Sequence, residues 1–204
     1  MSTHALKKVL VYCGSRDGTR PIFKEHAHRL GVALGKAGLT LVYGGGSTGL
    51  MGAVADGALE HGGQVIGVLP KGLARKEFAH QRISQLHWVE TMHERKAMMA
   101  DMADGYVALP GGFGTLDELF EIVTWAQVGL HKKPIGVLNV DGFYEPMLAQ
   151  AKRAMEEGFL YPGMEKIWLV ESEPERLVER LATHVVPDSM IQWQREDAAI
   201  SRGK

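Results

Sequence analysis

The 204-residue sequence predicts a single-domain α/β fold built on a doubly wound parallel sheet. Three observations favour this fold: short and nearly continuous apolar runs, segments of helical periodicity between them, and glycine clusters directly after several runs. A strand followed by a helix, repeated six times, is typical of a parallel sheet with helices on both faces. Ligands bind such sheets at the carboxyl ends of the strands, near the point where strand order reverses.

The apolar runs predict six strands, and the segments between them predict six helices. The strands cover 9–13, 39–43, 64–69, 106–109, 134–139 and 167–170. The helices cover 21–37, 49–60, 92–103, 115–128, 144–157 and 174–185. The segment 71–84 breaks the alternation and predicts a loop or a short helix at the same edge of the sheet. We assign 1–186 to the domain and 187–204 to a polar tail that is frayed or disordered.

Composition excludes several classes of protein. Lys plus Arg number 23 and Asp plus Glu number 24, a balance that argues against a general nucleic-acid binder. The single cysteine, Cys13, fits a reducing, cytoplasmic compartment. No apolar run approaches the roughly 18 residues of a membrane span, so we expect no membrane contact. The histidines show no metal-ligand spacing, and we expect neither a metal nor a redox cofactor.

Glycine numbers 25 of 204 residues and clusters at 14–15, 44–49 and 110–115, each cluster following a predicted strand. The middle cluster matches the pattern of a dinucleotide-binding loop, but the acidic residue expected about 20 positions later is missing. The same cluster also reads as a nucleophile elbow around Ser47, with Asp141 and His184 following in the order of an esterase triad. A nucleotide-binding module without chemistry and a serine hydrolase therefore stay open as alternatives.

The strongest motif is Pro-Gly-Gly-Phe-Gly-Thr-Leu-Asp-Glu at 110–118. A strand ends before it and a helix begins near Thr115, so unpaired amides and the positive helix end form a cradle suited to a phosphate. Glu118 lies one turn further on, sharing a face with apolar residues, and a carboxylate there needs a partner. Arg95 and Lys96 lie on a methionine-rich stripe of the preceding helix. Charge balance therefore favours one site that holds phosphate, Arg95, Lys96 and Glu118.

The motif at 110–118 closely resembles that of the LONELY GUY (LOG) family, which contains cytokinin-activating nucleoside 5′-monophosphate phosphoribohydrolases. MHERKAMM at 92–99, VYCGS at 11–15 and VYGGGSTGLMG at 42–52 extend the resemblance over nearly the whole chain. The resemblance implies a Rossmann-like fold, a homodimer, and hydrolysis of N6-modified AMP to the free base and ribose 5-phosphate. Plain AMP stays open as a substrate. Family members are often labelled lysine decarboxylases, but the sequence offers no candidate for the Schiff-base lysine of pyridoxal phosphate chemistry.

The resemblance also implies the site residues. Arg95 and Glu118 are the expected catalytic pair. The predicted substrate-binding residues are Gly14, Ser15, Gly45, Glu77, Met92, Lys96, Gly111, Gly112, Phe113, Gly114, Thr115 and Thr124. The helix 115–128 carries more apolar residues than one stripe needs, so we expect it to be largely buried, partly against a second subunit.

Overall fold

The computed structural model describes residues 6–73, 79–161 and 163–187. Its centre is a seven-stranded sheet with the order β4-β3-β2-β1-β5-β6-β7, in which every neighbouring pair is parallel. The strands are β1 Lys8–Tyr12, β2 Thr40–Tyr43, β3 Val65–Pro70, β4 Gln85–Val89, β5 Gly105–Ala108, β6 Ile135–Leu138 and β7 Leu169–Glu171. The predicted α/β class and parallel sheet are confirmed.

Within the described residues, six α-helices cover the sheet. They are α1 Pro21–Lys36, α2 Gly49–Glu60, α3 Met92–Met102, α4 Phe113–Gln127, α5 Glu145–Glu156 and α6 Pro174–Leu181. Short 3-10 helices lie at Lys71–Leu73, Val140–Gly142 and Met164–Lys166. Among the described residues, no helix combines the length and the apolar character needed to cross a bilayer.

The strands bury both of their faces, as the nearly continuous apolar runs indicate. Along β1, Val9 and Val11 point into a core formed with α1, α2 and α6, whereas Leu10 and Tyr12 point into a core formed with α3 and α4. Each of these four residues is at most 4% exposed. The two cores lie on opposite sides of the sheet, which is the layer arrangement of a doubly wound fold.

The structure corrects the prediction at four places. The strand β4 was not predicted, because Gln85 and Trp88 are exposed on this edge strand and its sequence alternates polar with apolar residues. The helix α4 begins at Phe113, two residues earlier than predicted, with Gly112 as its extended N-cap. The last strand is Leu169–Glu171, and α6 ends at Leu181. Of the predicted tail at 187–204, all but Pro187 lies outside the described residues.

Strand order reverses at β1, which pairs with β2 on one side and β5 on the other. The chains leaving β1 and β5 therefore diverge to opposite sides of the sheet and leave a crevice between them. A backbone hydrogen bond from Gly14 N to Pro110 O (3.0 Å) ties the two loops together at the bottom of this crevice.

Candidate active site

A cavity of about 310 Å³ opens at this crevice, at the carboxyl ends of β1 and β5. Its wall combines the ends of β1 and β2, the first turns of α3 and α4, and the start of α2. The lining residues are Val11, Tyr12, Cys13, Gly14, Ser15, Gly44, Met51, Met92, Arg95, Met99, Gly112, Phe113, Gly114, Thr115, Asp117 and Glu118. Most of the site residues predicted from the sequence therefore lie around one cavity.

The first turn of α4 supplies one wall. Its leading amides, at 113–115, have no partner within the helix, and they lie at the positive end of the helix dipole. Thr115 is buried, and a Cβ at Gly111 would lie 2.1 Å from its Oγ1. Gly111 thus lets the loop pack against α4 without lining the cavity itself. This wall is chemically suited to an anion such as a monophosphate.

The loop after β1 supplies the facing wall. The carbonyl of Gly14 accepts a hydrogen bond from the backbone N–H of Leu50 (3.1 Å), and the Thr48 hydroxyl donates to the carbonyl of Ser15 (3.3 Å). The start of α2 therefore fixes the loop that carries Gly14 and Ser15.

Arg95, in the first turn of α3, is only 7% exposed. Its Nε donates to Val68 O (3.1 Å) and its Nη2 donates to Gly44 O (3.3 Å), while Nη1 lies 3.9 Å from the sulfur of Met92. The backbone carbonyls of Val68, within β3, and of Gly44, directly after β2, thus hold the guanidinium in place. This buried guanidinium brings a positive charge of fixed position to the cavity.

Glu118 and Tyr12 complete the polar part of the cavity. Burial, and next the negative charge of Glu118, raise the pKa of Tyr12 well above its ordinary value. The phenol therefore stays protonated, and it can donate a hydrogen bond. The cavity thus combines a cation, a carboxylate and a neutral donor, although sequence reasoning did not single out Tyr12.

Lys96 has different anionic partners from those that charge balance suggested. Its Nζ lies 3.1 Å from Asp117 and 3.1 Å from Glu121, and it is not among the cavity-lining residues. Partial burial acts to lower the pKa of Lys96, but the hydrogen bonds to Glu121 and Asp117 outweigh it and raise the pKa. Lys96 therefore joins α3 to α4. Met92, Arg95 and Met99 of the predicted stripe line the cavity and Lys96 does not, because periodicity within one helix does not show which side chains of the next helix each residue meets.

The other predicted substrate-binding residues lie elsewhere. Thr124 lines a separate apolar groove between α4 and α5, and its hydroxyl donates to Phe120 O (2.7 Å). Gly45 lies behind the cavity, where its carbonyl accepts from His80 N (3.0 Å). Glu77 lies outside the described residues. The predicted site residues did not include Gly44, Met51 and Asp117, although all three lie within the quoted motifs at 42–52 and 110–118.

The structure separates the residues of the serine-hydrolase alternative. Ser47 follows β2, at the carboxyl ends of the strands. His184 interacts with the backbone of Lys166 and Ile167, just before β7, at the opposite end of the parallel sheet. Asp141 forms an ion pair with Arg20. These three residues do not form a triad. Across residues 6–73, 79–161 and 163–187, no group of three or more His, Cys, Asp or Glu side chains is placed to hold a metal ion.

Comparison with known proteins decides the family. The family model described as "possible lysine decarboxylase" matches residues 51–181. The cytokinin riboside 5′-monophosphate phosphoribohydrolase LOG of Oryza sativa subsp. japonica is 46% identical over 88% of this chain and 74% of its own. The cytokinin riboside 5′-monophosphate phosphoribohydrolase LOG1 of Arabidopsis thaliana is 40% identical to this chain. The match covers 96% of this chain and 93% of the length of LOG1. The chain belongs to the LOG family.

Solved structures that resemble this LOG-family chain share its fold at low sequence identity. The molybdenum cofactor binding protein of Rippkaea orientalis has a TM-score of 0.66 and 22% identity, covering 89% of this chain and 98% of its own. The molybdenum cofactor carrier protein of Chlamydomonas reinhardtii has a TM-score of 0.64 and 21% identity, covering 87% of this chain and 99% of its own. These likenesses show a common Rossmann-like architecture.

Proposed function

We propose that this protein hydrolyses the N-glycosidic bond of purine nucleoside 5′-monophosphates with N6-modified adenine, releasing the free base and ribose 5-phosphate. This is cytokinin activation, the activity after which its LOG-family relatives are named. The observation that carries the proposal is the cavity at the start of α4, where Arg95 and Glu118 face the same space as a phosphate cradle.

The phosphate binds at the start of α4. The amides at 113–115 and the hydroxyl of Thr115 present donors there, and the helix dipole favours negative charge. Binding energy from this remote group can be used to hold C1′ of the ribose at the reacting centre. A nucleoside, which lacks the phosphate, is therefore a much poorer substrate.

Bond cleavage at C1′–N9 leaves the bonding electrons on the purine and builds positive charge on the sugar ring, as in glycoside hydrolysis. A water oxygen then bonds to C1′, and the proton balance is completed by protonation of the departing base. The carboxylate of Glu118 serves this step in one of two ways: by stabilising the cationic sugar or by accepting a proton from the attacking water. Arg95 offsets the negative charges of phosphate and Glu118 that the reaction brings together.

The test is incubation with AMP and N6-isopentenyl-AMP, each beside its nucleoside, with base release followed by chromatography. We expect free base from at least the modified nucleotide and much less from either nucleoside. Preference for AMP would make the protein an AMP nucleosidase. Binding of nucleotide without any base release would favour the non-catalytic binding module, and equal rates on nucleotide and nucleoside would overturn the phosphate cradle.

We further propose that the protein is a homodimer, located in the cytoplasm. Support for the dimer comes from the groove between α4 and α5. No residue of α5 is buried, and Phe120 and Phe159 beside it are 45% and 82% exposed. Apolar side chains of this size at a continuous groove are typical of a protein–protein contact. Support for the location is that the sequence contains a single cysteine, Cys13, so no disulfide can form within the chain.

A further inference from the structure

Gly44 immediately follows β2 and lines the cavity. It does not have a positive φ, in contrast to the neighbouring Gly45 (φ 79°) and Gly49 (φ 62°). Those two glycines are needed for backbone conformations that other residues rarely adopt. Backbone conformation gives no such reason for a glycine at position 44, so the reason lies in its surroundings.

The surroundings of Gly44 are dominated by Arg95. A Cβ built on Gly44 would lie 1.9 Å from Nη2 of Arg95 and 3.1 Å from its Cζ. The next nearest atom is the sulfur of Met51, at 3.1 Å. The guanidinium thus occupies the space that any side chain at position 44 would need.

Gly44 also binds the guanidinium of Arg95, the same group that occupies the space beside it. Its carbonyl oxygen accepts the hydrogen bond from Nη2 of Arg95 (3.3 Å), while Val68 O accepts from Nε (3.1 Å). These two contacts, one from within β3 and one from directly after the adjacent β2, fix both the position and the plane of a guanidinium that is 7% exposed. A planar group held at two edges keeps its orientation toward the cavity.

We propose that Gly44 is a positioning residue for Arg95. Its carbonyl fixes the guanidinium, and its missing side chain leaves the space in which that guanidinium reaches both carbonyls. The proposal rests on the proposed function, since it takes its catalytic consequence from the role of Arg95. It explains why a glycine with an ordinary backbone conformation stands at the wall of the cavity.

The first test is Gly44→Ala. The added methyl group forces the guanidinium to shift by about 1 Å or more, and a displacement of that size at a reacting centre costs on the order of 100-fold in rate. We expect this loss mainly in kcat for N6-isopentenyl-AMP, in a protein that remains folded because the displaced group is the far end of a flexible side chain. Turnover within twofold of wild type would overturn the proposal.

A matched control is Gly136→Ala on β6. This buried glycine also lacks a positive φ, and its Cβ would meet the ends of two side chains, Leu177 (3.0 Å) and Leu181 (3.3 Å), on the face of the sheet packed against α6. We expect Gly136→Ala to lower the thermal midpoint while kcat of the folded protein stays near wild type. A comparable kcat loss in both variants would show a general effect of core crowding and would contradict a specific role of Gly44.

The second test is a double-mutant cycle with Arg95→Ala, read as the thermal midpoint. Gly44→Ala should lower the midpoint in the wild-type background and have little effect in the Arg95→Ala background, where the overlapping guanidinium is gone. If Gly44→Ala alone fails to fold, the double variant should recover folding. An equal decrease in thermal midpoint in both backgrounds would overturn the proposal. A double variant that also fails to fold would overturn it as well.

This cycle needs no catalytic turnover, so it separates the two conclusions. Non-additive changes in thermal midpoint between positions 44 and 95, without base release from any nucleotide, would refute the proposed function. The positioning of Arg95 by Gly44 would still stand. Base release together with additive changes in thermal midpoint would support the proposed function and refute the role of Gly44.

Discussion

The helix α4 borders two openings of very different character. Its first turn lines the cavity at the carboxyl ends of the strands, and its middle lines the groove shared with α5. The cavity wall contains glycines, a buried arginine, two carboxylates and a phenol. The groove wall is formed mainly by Met, Phe, Ala and Leu side chains, with Glu165 as its acidic member.

This difference indicates two kinds of partner on one helix. Exposed backbone amides and fixed charges suit a small anionic ligand, because they offer directional hydrogen bonds, and the cavity adds apolar side chains such as Met51, Met92 and Met99 beside them. Flexible and aromatic side chains suit a protein surface, because burying them gains free energy without requiring exact hydrogen-bond geometry. On the proposed function, the helix connects the proposed reaction site to the proposed subunit contact over about two turns.

The largest expected effect comes from Glu118→Gln in the cavity. The change keeps the shape of the side chain and removes its charge, so kcat for N6-isopentenyl-AMP should fall on the order of 100-fold or more while nucleotide binding largely survives. Steady-state kinetics and the thermal midpoint should be measured on the same preparations. The matched control is Glu165→Gln in the groove, which should leave kcat near wild type. A folded Glu118→Gln protein with wild-type turnover would remove Glu118 from the chemistry.

Next in size is Phe120→Glu in the groove. Placing a charge in the apolar contact should weaken self-association by at least about tenfold, so light scattering at micromolar concentration should move from a dimer toward the 22.4 kDa monomer. The control is Val185→Glu, since Val185 is 80% exposed and outside the groove. A wild-type protein that already scatters as a monomer would contradict the dimer.

A smaller effect is expected for Lys96→Met, which keeps most of the apolar stem and removes the link from α3 to Asp117 and Glu121. Because both carboxylates keep contact with solvent, we expect about 1 kcal/mol of stability to be lost, with a few-fold decrease in kcat. Glu121→Gln removes half of the same link and should reproduce part of the stability loss. A large rise in KM confined to Lys96→Met would instead indicate direct contact with the substrate phosphate.

The smallest expected effect is a change in the pH dependence of stability caused by His131. This residue follows the end of α4. Burial lowers the pKa of His131 below its ordinary 6.5, and it outweighs the hydrogen bond to Ile122 O that acts to raise it. The neutral ring donates to that carbonyl and accepts from Lys133 N (3.2 Å), so protonation removes an acceptor.

Since the unfolded chain then binds the proton more readily than the folded chain, stability is fully present above about pH 6.5 and decreases as pH falls below it. His131→Gln should reduce this slope in thermal midpoints measured from pH 7.5 to 5.5, by about one to two degrees. A slope that is unchanged in the variant would assign the acid sensitivity to other groups, such as His184, whose pKa burial also lowers.

The sequence is informative where burial is complete. Strands with two buried faces, such as β1 and β5, appear as continuous apolar runs, and glycines mark the turns that follow them. The edge strand β4 lacks that pattern, because water replaces one of its two neighbours. The start of α4 was predicted two residues late because its N-cap is Gly112, which offers no side-chain hydrogen bond to recognise.

The candidate site shows a similar limit of pattern reading. Arg95 and Glu118 were singled out because charged side chains on apolar stripes require an explanation. The partners of Lys96 depend on how α3 and α4 are oriented across the sheet, and the importance of Gly44 depends on where one guanidinium lies. Both are properties of the packed molecule, so no local pattern contains them.

The position of β1 at the centre of the sheet affects the order in which the protein folds during synthesis. Its first residues lie near the start of the chain, yet Val9 pairs with Gly105, roughly a hundred positions further on, so this contact closes slowly and late. A chain emerging from the ribosome holds one edge of β1 open until β5 has been synthesised. The cavity lies across that same seam, so a chain synthesised only as far as α3 lacks the part of the cavity wall that the first turn of α4 supplies.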